Sequence, residues 1–402
     1  MAAGVTPDLG ALAERIREAR LPGFVDLYAT RTAEAWWRVG GSGVTARREL
    51  VREGAAVRFP GSLVSSDGLD RLVLAELLGL PARTLPAFSL PPFPRPPEIA
   101  PVIEATGVAE CELHWRGGWA TLLADGRATW LRRPELLEVT LPDGQRFLHA
   151  WPLAAGWAPP QATPAPASQP RTGRVTVLLA PAAAAVLFHE LLAHPLEGDL
   201  LLRGSSPLTG RHGERVFSIP VDVDDDPTEL ALPGGFSADD EGVEARRRLL
   251  VHDGVLVGML CDRATAAALG GKPGNARRAT VHTPPRPRVS NLVVRCRRGD
   301  VDALRREAAI EVASFASGSV EPRLGLVTLA VRAAWAVHRG ARVRPLAPFV
   351  LAGTIDEVLG GVRALAGPSV PTAEPGWCSK DGEVVPTGAV APWVLLAGVG
   401  VR

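Results

Sequence analysis

The sequence predicts an α+β protein with an N-terminal α/β domain over residues 1–150 and a C-terminal, mostly β domain over residues 174–402. Three observations predict it. The stretch from Trp151 to Arg174 (WPLAAGWAPPQATPAPASQPRTGR) is rich in proline and alanine, and residues 151–173 read as a linker. Ahead of it, helical patterns with capping residues are mixed with strand-like runs. Behind it, from residue 214 onward, apolar runs joined by tight-turn dipeptides dominate. A chain of 402 residues is long enough for two or three separate cores.

Taken in order, Asp8 is placed to cap a helix carrying Leu9, Leu12, Ile16 and Ala19 on one face. GFVDLYA, AEAWWRVG and RRELVREGAAVRF follow as strands, the last with a turn expected at Glu53-Gly54. SSDGLDRLVLAELLGL reads as a capped helix. Residues 81–101 are crowded with proline and are expected to be mostly extended loop. Further strands fill 109–150, including ATLLADGRATWL with a hairpin turn at Asp125-Gly126. After the linker, RVTVLLA is a short apolar strand and PAAAAVLFHELLAH a helix, with Pro181 in its first turn. RRLLVHDGVLVGML is a hairpin turning at Asp253-Gly254, and RLGLVTLAVRAAWAVHRGARVRPLA a second strand pair turning at Arg339-Gly340. Helices are expected over 261–269, 300–308 and 353–365.

Composition narrows the function. Hydrophobic residues make up 46% and charged residues 22%, ordinary values for a globular protein. The net charge of +1 supplies no field favouring nucleic acid or an anionic membrane, so neither is expected as a partner. Only Lys272 and Lys380 among the basic residues are lysines, which reads as codon bias rather than recognition. Cys111, Cys261, Cys296 and Cys378 lie far apart and form no disulfide framework. The N-terminal segment lacks the apolar core of a signal peptide, and no uncharged run of about 18 apolar residues occurs. The expected compartment is the cytoplasm, where thiols stay reduced.

The chemistry concentrates in HELLAHPLEGD, residues 189–199. Histidines four apart on a helix are separated by about 40° and can share a metal; five apart, the separation is about 140°. One ordinary helix face cannot present both His189 and His194. A π-type turn, closing i→i+5 hydrogen bonds, is one way to bring them together and a helix end at His194 the other, and Pro195 disturbs the regular ladder in any case. A catalytic zinc needs a third protein ligand, for which Glu197, Asp199, His212, His282 and Cys378 are candidates that spacing alone does not separate.

HELLAHPLEGDLLLRGSSPLTGR resembles the TldD/PmbA family of metallopeptidases, historically labelled modulators of DNA gyrase. FSADDEGVEARRRLLVHDGVLVGMLCDRATAAALG, KPGNARR, PPRPRVSNLVV and GWCSKDGEVVPTG resemble it in the same order, over roughly residues 174–402. GAAVRFPGSLVSSDGLDRL is a weaker match ahead of them. The resemblance implies a metal held by His189, His194 and Cys378, with Glu190 as general base. Mixed nitrogen and sulfur ligation suits zinc (Zn2+), one per active subunit, with another divalent transition metal as the alternative. The family likeness also implies flexible or unfolded peptide substrates bound as an extended strand. It implies a dimer as well, either a homodimer or a heterodimer with a related TldE/PmbA-like subunit. Such related subunits lack the HExxxH motif; retention of Glu190 and the three ligands argues against a non-catalytic subunit. Ala193 stands where the family often has glycine, Ser379 replaces the glycine of a usual C-G-K, and the chain is shorter than typical members.

The remaining candidates are weaker. His282 is a candidate oxyanion donor, and Asn275, Arg277 and Arg278, in a glycine-rich turn, are candidates for contact with a peptide backbone or carboxylate. Glu197 and Asp199 are expected either to orient a ligand histidine or to pair with Arg203 or Arg211. Arg203-Gly204-Ser205-Ser206 either lines the cleft or forms a tight turn. Asp222–Asp226 starts like a calcium loop, but Pro227 and Pro233 occupy the positions that need glycine and glutamate, so a solvated loop is expected. Cys111, Cys261 and Cys296 are expected in cores, and His114, His149, His212, His252 and His338 as ordinary surface or core histidines.

Overall fold

The computed structural model describes residues 9–22, 25–40, 43–86, 92–93, 95–98, 110–153, 168–296 and 299–402. Its helices are α1 (Gly10–Ala19), α2 (Arg71–Leu78), α3 (Pro181–Phe188), α4 (Gly198–Leu202), α5 (Arg263–Leu269), α6 (Val301–Glu307) and α7 (Ile355–Gly361). The first strands are β1 (Asp26–Gly40), β2 (Gly43–Phe59), β3 (Ser62–Ser66), β4 (Cys111–Ala124), β5 (Arg127–Leu131), β6 (Glu135–Thr140) and β7 (Arg146–Trp151). They form one antiparallel sheet in the order β3-β2-β1-β4-β6-β7, with β5 also on β4. Leu12 and Ile16 of α1 and Leu74 and Leu78 of α2 close one face of the sheet over Leu27, Val57 and Leu123. Trp37, Leu113, Trp115, Leu137 and Phe147 form a second core farther along.

The second sheet accounts for the mostly β character of the C-terminal half. Its strands fall within β8 (Gly173–Leu179), β9 (Asp222–Asp225), β10 (Arg248–His252), β11 (Val255–Leu256), β12 (Ala276–Arg277), β13 (Arg286–Pro287), β14 (Asn291–Arg295), β15 (Ile310–Glu321), β16 (Leu326–His338), β17 (Ala341–Pro345), β18 (Phe349–Thr354), β19 (Val362–Thr372), β20 (Trp377–Lys380), β21 (Glu383–Pro386) and β22 (Gly388–Val401). β12 pairs with β13 and β20 with β21 as separate two-stranded ribbons; the others make one sheet of 11 strands. Within it β8, β15, β16, β18 and β22 pair in a closed cycle. α3 is apolar all round, and Ala183 to Phe188 are all buried, the pattern of a helix enclosed on every side. It packs on β22 and β15 and carries the histidine motif at its end. Among the described residues no helix is long and apolar enough to cross a membrane.

Turn chemistry explains several elements. Asp125-Gly126, Asp253-Gly254 and Arg339-Gly340 all adopt positive φ on both residues, as two-residue hairpins require. The α5 helix is closed by an Asp262/Thr265 capping box and stopped at Gly270, and α7 begins with a Thr354/Glu357 box. The helix expected to 365 ends at Gly361, and the chain continues as β19. α1 starts at Gly10 with Leu9 at its cap, and Asp8 lies outside the described residues. Of the proline-crowded stretch, Ala82–Thr84 is a short 3-10 turn, and 87–91, 94 and 99–101 lie outside the described residues, as do 154–167 of the expected linker.

Two expectations are overturned. Glu53-Gly54 is no turn: β2 runs straight through it, with Glu53 opposite Arg31 and Gly54 opposite Thr30. The glycine permits close approach instead, since a Cβ there would lie 2.9 Å from the Ser66 carbonyl oxygen and 3.0 Å from Val281. Asp222–Asp226 is not a solvated loop. Asp222–Asp225 is β9, and Asp224 and Asp225 are fully buried. Arg247 and Arg295 pair with Asp224 at 2.8 and 2.7 Å, and the Ser290 amide and Asn275 side chain donate to Asp225 at 2.7 and 2.6 Å. Burial of carboxylates is tolerable when they are paired in this way.

Charged side chains join the two sheets. Arg58 of β2 pairs with Asp26 across the first sheet and with Glu241 of the C-terminal half at 2.7 Å. Arg278 reaches Asp26 at 3.4 Å and lies over the Tyr28 ring, while Arg133 pairs with Asp240. The Trp377 indole donates to Glu138 at 2.5 Å. The last contact ties the β6–β7 hairpin to the ribbon that carries Cys378.

Candidate metal centre

α3 ends at Phe188 and passes into one turn of π-helix, His189–Ala193. The His194 amide donates to the His189 carbonyl at 3.4 Å, an i→i+5 bond. That widened turn puts the two imidazoles on one side, centroids 4.9 Å apart and planes at 84°. Cys378 arrives from β20, whose hairpin with β21 turns on Asp381 and Gly382, both at positive φ. Its Sγ lies 3.4 Å from Nε2 of His194. One donor atom from each of His189, His194 and Cys378 falls within 4.8 Å of the others.

The donor set fits zinc. Tetrahedral bonds of about 2.3 Å to sulfur and about 2.0 Å to nitrogen put the two atoms roughly 3.5 Å apart. The His194–Cys378 separation is close to that. Nδ1 of His189 is buried with no hydrogen-bond partner, a lone pair or N–H that no described protein group satisfies. Burial opposes ionisation of Cys378, but His194 and His189 beside the sulfur outweigh it and hold the thiol well below its usual range. Burial likewise opposes charge on His194, while Cys378 and Glu197 hold that ring well above the ordinary histidine value. A sulfur held as thiolate is the form that ligates metal.

Glu190 points along a cavity of about 590 Å³ that His189 and His194 also line. β15, from Phe315 to Val320, also lines the cavity, and Gly144 and Arg146 of the N-terminal sheet border it. Gly318 lets Glu190 in: a Cβ on it would lie 2.6 Å from the glutamate Cγ. Arg332 and Glu374 lie on the same cavity. Burial pushes the Glu374 carboxyl up to about 7, with Arg332 opposing the shift.

Behind the metal-ligand candidates lies a buried charge cluster. Glu197 is fully buried, with Lys380 at 2.8 Å, Arg288 at 3.5 Å and Nδ1 of His194 at 3.7 Å. Its burial is more than offset by His194, Lys380 and Arg288, which hold its carboxyl below the usual range. Lys380 also pairs with Asp199 at 2.6 Å, and Asp199 pairs with Arg203 at 2.7 Å, as one expectation had it. Arg211 goes instead to Glu214 and Asp356. Sequence reasoning missed Arg288 and Lys380. Lys380 carried a signal, being one of two lysines in an arginine-dominated chain.

Four candidates for contact with substrate, Asn275, Arg277, Arg278 and His282, do not line the cavity. Asn275 is buried and spent on Asp225 and Arg248, at 2.6 and 2.9 Å. Arg277 is buried and donates to the Val289 and Pro386 carbonyls at 2.6 and 2.7 Å; burial lowers its pKa to about 10. Their turn faces inward because its polar groups satisfy Asp225 of β9 and the carbonyls of Arg288, Val289 and Pro386 rather than solvent. Arg278 is likewise buried, at the junction of the sheets. His282 is exposed, between Ser65 and Asp67 at 3.0 Å each. Of the other possible third ligands, His212 contacts the Val257 carbonyl at 3.0 Å. Ser205 and Ser206 line the cavity, and Ser206 donates to the Pro195 carbonyl at 2.6 Å. Cys111 and Cys261 are buried, and Cys296 is only half-buried.

Residues 172–402 match the model of the PmbA/TldA metallopeptidase C-terminal domain. A metalloprotease of Archaeoglobus fulgidus is 33% identical over 228 residues, covering 56% of this chain and 52% of that protein. A metalloprotease TldD homologue of Haemophilus influenzae is 31% identical over 223 residues, covering 55% and 46%. The chain thus spans about half the length of the curated relatives it matches. TldE from Thermococcus kodakarensis has the same fold, with a TM-score of 0.69 at 16% identity, over 97% of this chain and 98% of that one. With more than half of its length matched by the family model, the chain belongs to the PmbA/TldD family of metallopeptidases.

Proposed function

We propose that this protein is a zinc-dependent peptidase that hydrolyses flexible or unfolded peptides bound as an extended strand. One observation carries the reading: two imidazoles and a thiol converge to within 4.8 Å beside a cavity that Glu190 lines. His189, His194 and Cys378 would hold the zinc. Three protein ligands leave a position open, and zinc so held supplies Lewis acidity and makes water acidic near neutral pH. Glu190, next to the first ligand, takes the proton of the attacking water and returns it to the leaving amine.

β15 supports the strand-like mode of binding. Beyond Val312 it is paired on one side only, with β16, among the described residues. Its segment from Phe315 to Val320 lines the cavity beside Glu190. A peptide added along that edge is held by main-chain hydrogen bonds, which every sequence can make, so selectivity among side chains is low. In this reading residues 174–402 form the peptidase domain, residues 1–150 wall the cleft from the other side, and the protein works in the cytoplasm as a homodimer or with a related TldE/PmbA-like subunit.

A second reading, a non-catalytic partner subunit, draws on the structural likeness to TldE. The test is zinc content followed by cleavage of internally quenched, unstructured peptides, for wild type and Glu190→Gln. The peptidase reading expects equal zinc in both proteins and a loss of turnover of about 10²- to 10⁴-fold in the variant. A zinc-loaded wild type that cleaves no peptide, alone or with a related subunit, favours the second reading.

A further inference from the structure

Arg288 is buried to 1% exposure, and its guanidinium is directed at Cys378, at the strand opposite it and at Glu197 beside His194. Nη2 donates to the Cys378 carbonyl oxygen at 2.5 Å and lies 3.1 Å from the Cys378 Sγ. Nη1 reaches the Glu383 carbonyl on the opposing strand of the same ribbon at 3.4 Å. Nε faces Oε1 of Glu197 at 3.5 Å, and the other oxygen of Glu197 takes Lys380 and faces Nδ1 of His194. One guanidinium therefore links the hairpin that carries the thiol to the residue that follows the histidine turn. Burying an arginine is costly, and a mere space-filler at this position would be apolar.

We propose that Arg288 is a positioning residue of the metal centre: through Cys378 on one side and Glu197 on the other, it holds the sulfur in register with the two histidines before any metal arrives. The inference rests on the metal-site reading above. The histidines share one short turn and need no help to meet. Cys378 lies 184 residues from His194 in sequence, on a two-stranded ribbon outside the large sheet. Lys380 and Trp377 tie the ribbon down beside the cysteine, but Arg288 is the group that contacts both the carbonyl and the sulfur of Cys378; without it, part of the ordering of that sulfur would fall to metal binding and be subtracted from affinity. Groups that hydrogen-bond to metal ligands are worth about 10- to 100-fold in affinity. The fork matters as well as the charge: only a planar guanidinium can address the carbonyl and sulfur of one residue while facing a carboxylate on its third nitrogen. A lysine at 288 keeps a buried cation but can reach only part of that set.

The experiment measures zinc affinity by competition with a chromophoric chelator, and sulfur-to-metal charge transfer on cobalt(II) loading. The proteins are full-length wild type, Arg288→Lys, Arg288→Met, Cys378→Ser and the Arg288→Lys/Cys378→Ser double variant. Arg288→Lys and Arg288→Met are expected to weaken zinc binding about 10- to 100-fold and to reduce the charge-transfer band. In the Cys378→Ser background, Arg288→Lys is expected to change affinity less than about threefold, because the group it positions is gone. Arg288→Met leaves Glu197 with one fewer counter-charge; should it not fold, Arg288→Lys carries the test. The proposal is overturned if Arg288→Lys binds zinc within about threefold of wild type with full charge transfer. It is equally overturned if the loss is as large without the sulfur as with it, since Arg288 then acts on the fold generally. A wild type whose zinc binding is indifferent to Cys378→Ser overturns the underlying site as well, a different and distinguishable outcome.

Discussion

Replacing Gly318 by alanine adds a single methyl group opposite Glu190. The new Cβ would lie 2.6 Å from Cγ of Glu190 and 3.2 Å from its Cδ and Oε1. Carbon atoms in contact normally sit about 3.5–4.0 Å apart, so the overlap is about 1 Å. Gly318 is not among the positive-φ glycines, so alanine meets no backbone objection there. Relief has to come from Glu190. Its π-helical turn includes Leu191 and Leu192, both fully buried. The clash falls on the flexible Glu190 side chain, which rotates and displaces its carboxylate. A displacement of about 1 Å costs about 100-fold in rate, or about 2.7 kcal/mol of barrier. None of the three donor atoms is touched, so zinc stoichiometry should be unchanged, and overpacking should cost about 1–3 kcal/mol of stability. The assay is turnover of internally quenched, unstructured peptides by zinc-loaded protein, with zinc per chain measured on the same samples. Turnover within about threefold of wild type would refute the steric argument. Loss of turnover together with loss of zinc would show that residue 318 acts on the three candidate ligands rather than on Glu190.

Two further changes probe stability. The Glu374 carboxyl, raised by burial to about 7 from 4.5, favours the folded state when protonated; stability should fall as pH rises from about 4.5 to 7 and be lower by about 3 kcal/mol above that window. Glu374→Gln should therefore be no different from wild type at pH 4 and more stable at pH 8, by urea unfolding; a wild-type curve without that slope would rule out the buried carboxyl as its source. Arg58→Ala strips the shared counter-charge from Asp26 and Glu241, whose side chains are 2% and 5% exposed, and should destabilise by about 3–5 kcal/mol. A change below about 1 kcal/mol would mean that the junction between the sheets does not depend on this arginine.

Residues close in sequence announced much of this structure. The five-residue spacing of His189 and His194 called for a widened turn or a helix end, and the chain makes the widened turn, because backbone geometry is settled within a few residues. Asp125-Gly126, Asp253-Gly254 and Arg339-Gly340 turn where their dipeptides say, since positive φ is a local property. Asp222–Asp226 misled, because five acidic and valine residues in a row look solvated until Arg247, Arg295, Ser290 and Asn275 arrive from elsewhere. Asn275 and Arg277 misled for the same reason: polar residues in a glycine-rich turn look available until their partners are known. Gly54 was taken for a turn when it makes room for a neighbouring strand.

What the sequence by itself determined is the helix-end motif, the hairpins and the division of strand and helix, all of which depend on dihedral preference and apolar period. What only the tertiary structure decided is that Cys378 reaches His194, that Gly318 admits Glu190, and that Arg288 and Lys380 gather on Glu197. These depend on which strands become neighbours and which charges leave water together. No short window of sequence contains that information, because the energy of a buried ion depends on partners supplied by distant parts of the chain.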